Sequence, residues 1–278
     1  MNDAPLRIGQ IPYANCTPIF HALKTECTRS HYTFVTGTPT RLNRLLREGL
    51  IDVAPCSSIE YARCPERYLL LPDLSISAFG PVGSVLLFSR VQLSELDGRR
   101  IGLSEDSAAS SVLARVLLGR RFGQRNAFVS VANTLEALRT DVDAVLLIGD
   151  EALRNAEYRF RYDLGGLWSE WTGHPFVFAL WTLRRDAADR RRTQISELIG
   201  DLHRSKAYAY RNYMEIGRNA PERSWISLER LIEYWRTISY DLTPSHIEGL
   251  RTFYAYAAEL SLIETVPKIA MLRLDESE

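Results

Sequence analysis

Four short stretches place polar residues where a strand hands the chain over to a helix: Asn15-Cys16-Thr17-Pro18, Ser57-Ser58, Ser107 to Ser111 and Gly149-Asp150. A helix N-terminus presents unpaired N–H groups and a partial positive charge, which together hold a carboxylate or phosphate without any cation. Serine hydroxyls add donors that rotate to suit the ligand. Taken singly, each stretch is a helix cap contributing about 1 kcal/mol. Four of them, two in each half of the alternating part of the chain, favour a bound small anion.

Other chemistry lacks its residues. The sequence has no P-loop, no GxGxxG after a strand, no GxSxG elbow and no HExxH. Cys16, Cys27, Cys56 and Cys64 have no CxxC spacing and no neighbouring His pair, so they read as reduced thiols packed as small apolar groups, and no metal is expected. Of the histidines, His21 and His203 fall within helical patterns and His31 and His246 near turns. His174 lies in a loop just before a buried strand, where a cleft wall is conceivable.

The elements that must position these residues alternate. Leu6 to Gly9 predicts a strand, and Pro18 in the first helical turn opens a helix carrying Ile19, Phe20 and Leu23. Tyr32 to Val35 is a second strand, a helix starts at Thr38-Pro39, and Ile51 to Ala54 is a third strand. This βαβαβ rhythm predicts a mostly parallel sheet with helices on both faces. After the apolar run Ser84 to Phe88 a second cycle begins, with strands at 100–103, 127–131 and 144–148. Phe176 to Trp181 then carries the chain back, and the last hundred residues read as helical throughout, with Leu228, Leu231, Ile232 and Trp235 at helical spacing. The expected class is α/β, with residues 1–90 plus 178–278 as one lobe, 91–177 as the other, and a hinged cleft between them.

Charge and composition narrow the partners. The 278 residues carry 34 Lys+Arg against 34 Asp+Glu, so nothing pulls the chain towards phosphate backbones or anionic lipid. No run approaches the roughly 18 uninterrupted apolar residues of a membrane span, and residues 1–7 lack the features of a secretory signal. The expectation is a cytoplasmic protein acting on a small molecule, with neither nucleic acid nor membrane as partner; oligomeric state is not legible.

The residues also resemble a known family. The stretches Ile11 to Pro18, Gly49 to Tyr61, Leu71-Pro72-Asp73 with Gly80 to Val85, and Leu147 to Leu153 are similar to the chorismate dehydratases of menaquinone biosynthesis by the futalosine route. So is Asp163 to Gly173 followed by Pro175 to Ala179. The likeness runs in order from about residue 7 to residue 255. It implies a two-lobed fold like type II periplasmic binding proteins with a helical C-terminal region, no cofactor, and loss of water from chorismate to give 3-[(1-carboxyvinyl)oxy]benzoate. By resemblance Asn15 is the catalytic residue, Ser84, Ser110 and Ser111 bind carboxylates, and Ser57 and Ser58 line the opposite wall. Gly149 and Asp150 complete the expected substrate-binding set. The proton acceptor is either the substrate's enolpyruvyl carboxylate or one of Asp150 and Glu151. Tyr13, Phe79 and Trp168 are candidates for an apolar flank. The chain departs from the family at Ala14, where a bulky apolar residue is frequent, and at His174, where Leu is frequent. Two other readings stand beside this one: a cytoplasmic small-carboxylate binding or sensor protein, and the related 1,4-dihydroxy-6-naphthoate synthase, whose histidine base would stand where Gly149 does.

Overall fold

The computed structural model describes residues 4–104, 106–139, 142–155 and 158–273. In chain order the first part contains β1 (Leu6–Gln10), α1 (Thr17–Thr25), β2 (Tyr32–Thr36), α2 (Pro39–Arg47), β3 (Val53–Ser57), α3 (Ser58–Arg63) and β4 (Tyr68–Ala78). Next come β5 (Val85–Ser89), β6 (Arg100–Ser104), α4 (Ala108–Val116), β7 (Ala127–Val131), β8 (Ala144–Ile148), α5 (Gly149–Arg154), β9 (Phe160–Asp163) and α6 (Leu164–Thr172). The chain closes with β10 (Phe176–Arg184), α7 (Arg185–Arg190), α8 (Arg192–Arg211), α9 (Tyr213–Arg218), α10 (Leu228–Thr237) and α11 (Pro244–Glu259).

These strands build two five-stranded sheets with matching topology, ordered β2-β1-β3-β10-β4 and β7-β6-β8-β5-β9. In the first sheet β1 runs parallel to β2 and β3, while β10 is antiparallel to β3 and β4. In the second, β6 runs parallel to β7 and β8, and β5 is antiparallel to β8 and β9. The sheets are therefore mixed, not mostly parallel. The antiparallel strand in each, β10 or β5, is the one that arrives from the other sheet, so it does not follow the βαβ crossover that forces parallel pairing. Every residue of β3, β5 and β8 is buried, as expected for strands covered on both faces.

The chain passes to the second sheet between Ala78 and Val85 and returns between Thr172 and Phe176. Val85–Ser89, which a boundary at residue 90 assigns to the first lobe, is a central strand of the second sheet. Its apolar run announces burial but not which sheet buries it. β4 is the long strand hidden from sequence reasoning. Pro72 and Asp73, the latter at φ 57°, interrupt its apolar pattern where its pairing with β10 slips register. The C-terminal region is helical from α7 to α11, but from residue 262 it bends and runs on without helix, and Met271 pairs with Leu70 of β4. Among the described residues no helix is long and apolar enough to cross a membrane. Cys16, Cys27 and Cys56 are buried free thiols, and Cys64 is half-buried and free.

Candidate functional site

The ends of β1, β3, β8 and the start of β5 converge on one hollow between the two sheets. It holds about 590 Å3 of empty space, part of it open to solvent, and is lined from the first sheet's side by Ile11, Tyr13, Asn15, Ser57, Ile76 and Phe178, among others. The second sheet's side supplies Val82, Ser84, Ser107, Ser110, Ile148 and Gly149. The lining is apolar with a few polar groups, the usual make-up of small-molecule sites. No described lining residue carries a charge.

On the first wall, two polar groups have nothing to bond to. α1 is preceded by Cys16, which makes no side-chain cap, and the neighbouring Asn15 Oδ1 is buried without a hydrogen-bond partner. Ser57 stands at the cap position of α3, yet its hydroxyl caps nothing and is likewise buried and unpaired. A buried unpaired polar atom costs about 1–3 kcal/mol, so these two groups are not explained as helix caps. Their position on a shared hollow gives them a ligand to bind.

The opposite wall is differently wired. Ser107 does cap α4: its Oγ accepts the Ser110 N–H at 3.3 Å and its hydroxyl donates to Ser110 Oγ at 2.8 Å. That leaves the Ser110 proton free to donate, at the N-terminus of a nine-residue helix. Ser84 Oγ accepts from the buried Tyr234 hydroxyl at 2.9 Å, which likewise frees its own proton. The end of β8 is braced by Asn133, whose Oδ1 accepts the Ile148 N–H at 3.0 Å while its Nδ2 donates to the Ile148 carbonyl at 3.2 Å. Gly149 follows at φ +59°, and a Cβ there would lie 3.0 Å from the Tyr13 ring, so the turn admits only glycine without a shift. Burial, helped by the charges of Asp106 and Asp150, pushes the Tyr13 phenol well above its ordinary pKa, keeping it neutral.

The expected set therefore divides. Asn15, Ser57, Ser84, Ser110 and Gly149 meet on one hollow, and Tyr13 flanks it. Ser58, Ser111 and Asp150 are not among its lining residues. The Ser58 hydroxyl is buried without a partner elsewhere, and the Ser111 hydroxyl donates to the Ser104 carbonyl at 3.1 Å. Ser110 and Ser111 are successive residues of α4 and point about 100° apart, and Ser110 is the one on the hollow. Asp150 Oδ1 instead accepts the Ala14 N–H at 2.9 Å, and Glu151 Oε1 accepts from Asn155 Nδ2 at 3.0 Å. Phe79 is 69% exposed at the crossing between the sheets. Trp168 is in the core, edge-on to Trp171, Phe176 and Phe253. His174 is off the hollow, its N–H donating to Thr172 Oγ1 at 3.2 Å. Sequence reasoning missed Phe178, Ile76, Val82 and Ile238, whose apolar types carry no mark separating a cleft wall from a core.

Such a pair of sheets, joined by two short crossings around an uncharged polar hollow, defines the class of two-lobed periplasmic-binding-protein-like folds. Solved structures agree: a structural-genomics protein of Archaeoglobus fulgidus superimposes with TM-score 0.79 at 23% identity, over 95% of this chain and 100% of that one. The alkanesulfonate-binding protein SsuA of Xanthomonas axonopodis pv. citri, solved with MOPS, gives 0.69 at 18% identity over 96% of each chain. The family profile described as Menaquinone biosynthesis matches residues 6–259, and the chain belongs to that family. It is 33% identical over 205 residues to the chorismate dehydratase of Thermus thermophilus, covering 66% of this chain and 71% of the relative. It is 32% identical over 177 residues to that of Campylobacter jejuni, covering 62% and 64%.

Proposed function

We propose that this chain is a chorismate dehydratase, a hydro-lyase that converts chorismate to 3-[(1-carboxyvinyl)oxy]benzoate. The observation that carries the reading is the pair of unpaired buried groups, Asn15 Oδ1 and Ser57 Oγ, facing Ser84 and Ser110 across one uncharged hollow. Two named relatives at about one-third identity carry the same activity in their names. Chorismate is a dianion built on a cyclohexadiene ring. One carboxylate is bound by the Ser84 and Ser110 hydroxyls at the α4 N-terminus. The ring rests among Tyr13, Ile11 and Phe178.

In the reaction the C3–H electron pair becomes the new C3–C4 π bond, and the C4–O bond breaks with its pair leaving on the hydroxyl. The ring becomes aromatic, and the proton and hydroxide leave as water. Aromatisation supplies the driving force, so the protein's task is to hold one geometry and exclude rearrangement. The Asn15 amide both donates and accepts, which suits it to orient the departing hydroxyl. Asp150 and Glu151 are engaged away from the hollow, which favours the substrate's own enolpyruvyl carboxylate as proton acceptor. A histidine at 149, where a naphthoate synthase would need one, would strain a backbone at φ +59° and push the Tyr13 ring aside.

Incubating the protein with chorismate while following ultraviolet absorbance tests the reading. We expect conversion to the aromatic product, and Asn15→Ala lowering kcat/KM by about 100-fold with the fold intact. Tight binding with an unchanged spectrum would instead identify a binding protein, and full activity in the variant would remove Asn15 from the chemistry.

A further inference from the structure

Three long-range hydrogen bonds hold the backbone of Ala14 and Asn15, and one of them comes from the second lobe. The Ala14 carbonyl accepts the Trp235 indole N–H at 2.8 Å, and the Asn15 carbonyl accepts the Tyr240 hydroxyl at 2.8 Å. Trp235 lies in α10, and Tyr240 belongs to the segment after it, whose carbonyl accepts the Ser75 N–H of β4. Both anchors therefore move with the first sheet. The third anchor is the Asp150 carboxylate on α5, at the end of β8, which accepts the Ala14 N–H at 2.9 Å. Beside it, the Tyr13 ring packs on Gly149. Together these contacts bring the second lobe's turn directly onto the backbone next to Asn15.

Asp150 is an unusual residue to spend on such a bond. Among the described residues it makes no salt bridge; Arg154 is the cation that influences it, with its guanidinium stacked 4.4 Å over the Trp225 ring. The groups around it are Tyr13 and Cys16 from the Asn15 segment, Tyr234 from α10 and Glu222 from the turn before it, and none of these is a cation. Among the described residues its hydrogen bond is to a main-chain amide that no other group satisfies, one residue from the amide assigned to the reaction. Resting on that assignment of Asn15, we propose that Asp150 is a positioning residue: its carboxylate latches the second lobe onto the Ala14 N–H and fixes the Asn15 side chain in the closed cleft. The bond requires the lobes to be together, so orientation of Asn15 is coupled to closure.

What the latch needs from residue 150 is an acceptor atom, not a charge. That separates it from a proton acceptor and sets the experiment. Asp150→Asn keeps a carbonyl oxygen in place, whereas Asp150→Ala and Asp150→Ser cannot reach the Ala14 N–H. We expect Asp150→Ala to lower kcat on chorismate by about 100-fold with KM moving less, since misplacing a reacting group by about 1 Å costs that much. Asp150→Asn is expected to keep kcat within about fivefold, and in an Asn15→Ala background Asp150→Ala should add almost nothing, because the two residues act as a unit. If Asp150→Asn proves as damaging as Asp150→Ala, or the two losses simply add, the latch is wrong. Serine replaces alanine in every arm if the alanine variant does not fold.

A second readout needs no substrate. Amide hydrogen exchange across residues 11–18 should accelerate by about tenfold or more in Asp150→Ala and stay near wild type in Asp150→Asn, as expected when a local opening loses its restraint. Unchanged exchange in Asp150→Ala overturns the proposal. A wild-type protein that does not turn over chorismate would sink the functional reading alone, and the exchange comparison would still decide the latch.

Discussion

Two pairs of aspartates, Asp52 and Asp201 fully buried and Asp150 and Asp163 half-buried, are handled in opposite ways by this molecule. Just before β3 in the first sheet, Asp52 is gripped by Arg7 of β1, with Nη2 to Oδ1 at 2.7 Å, Nε to Oδ2 at 3.1 Å and the Arg7 N–H to Oδ2 at 2.9 Å. Asp201 likewise meets Arg29 Nε at 2.7 Å, the Tyr32 hydroxyl at 2.7 Å, and Arg204. Near the hollow, Asp150 and Asp163 have main-chain amides instead. Asp163 Oδ2 accepts the Val82 and Gly83 N–H groups at 2.9 and 2.6 Å, and its Oδ1 accepts the Gly166 N–H at 2.9 Å. Burial works to raise all four, yet the guanidinium partners bring Asp52 and Asp201 below the usual carboxylate range. Amides alone do not offset burial, so Asp150 and Asp163 stand above it.

The difference teaches where the fold can admit arginine. A guanidinium near the hollow would present a fixed, strong claim on any carboxylate arriving there. Holding the local aspartates with N–H groups keeps cations away from the lining and leaves a dianionic guest to hydroxyls, amides and a helix terminus. The penalty is a pair of under-compensated carboxylates.

The sharpest way to break the contrast is at Asp163, which ties the crossing at 82–83 to the start of α6. Asp163→Ala leaves three amides without their acceptor and is expected to destabilise by about 3 to 5 kcal/mol. Urea unfolding monitored by tryptophan fluorescence measures it. A loss below about 1 kcal/mol would mean that water replaces the carboxylate freely and that the amide cradle carries little energy.

Asp52 tests the other pair. Replacing it with Asn strands the Arg7 guanidinium and is expected to cost about 3 kcal/mol at pH 7. Because the folded pKa lies below the unfolded value near 4, the wild-type advantage is complete above that value. It is lost as pH falls through the depressed folded one. The gap between wild type and Asp52→Asn should therefore be flat through neutral pH and close in acid. A gap that persists undiminished in strong acid would show that packing, not charge, is what the substitution removes.

How much of this was legible in the sequence depended on distance along the chain. Helix starts were readable because proline and small polar residues act locally: Pro18 and Pro39 sit in first turns, and Ser107 caps as its type suggests. Asn15, Ser57 and Ser110 stood out for the same reason. What could not be read was the second partner in each long-range pair, such as Tyr234 on Ser84, Trp235 on Ala14 or Tyr240 on Asn15, with separations of 150 to 225 residues. Nor does a carboxylate one residue beyond a cleft-lining glycine say whether it faces ligand or backbone. Asp150 was placed with the substrate by its neighbours, and only three-dimensional contact turns it towards Ala14.

The smallest expected effect is also the most discriminating. Asp150 is half-buried and lies beside Glu222, so the folded state binds its proton more tightly than the unfolded chain does. Such a group lowers stability above its folded pKa, where it must ionise in place, and stops doing so below its unfolded pKa. Asp150→Asn removes the ionisation and keeps the acceptor for Ala14, so it should be more stable than wild type at pH 7. The gain should shrink as pH falls through the raised folded value and vanish below the unfolded one, the reverse of the Asp52 profile. Paired melting curves of wild type and variant from neutral to acid pH give the slope directly. A variant less stable than wild type at neutral pH would show that the negative charge itself is needed there, and the contrast between paired and amide-held aspartates would fail at the residue closest to the chemistry.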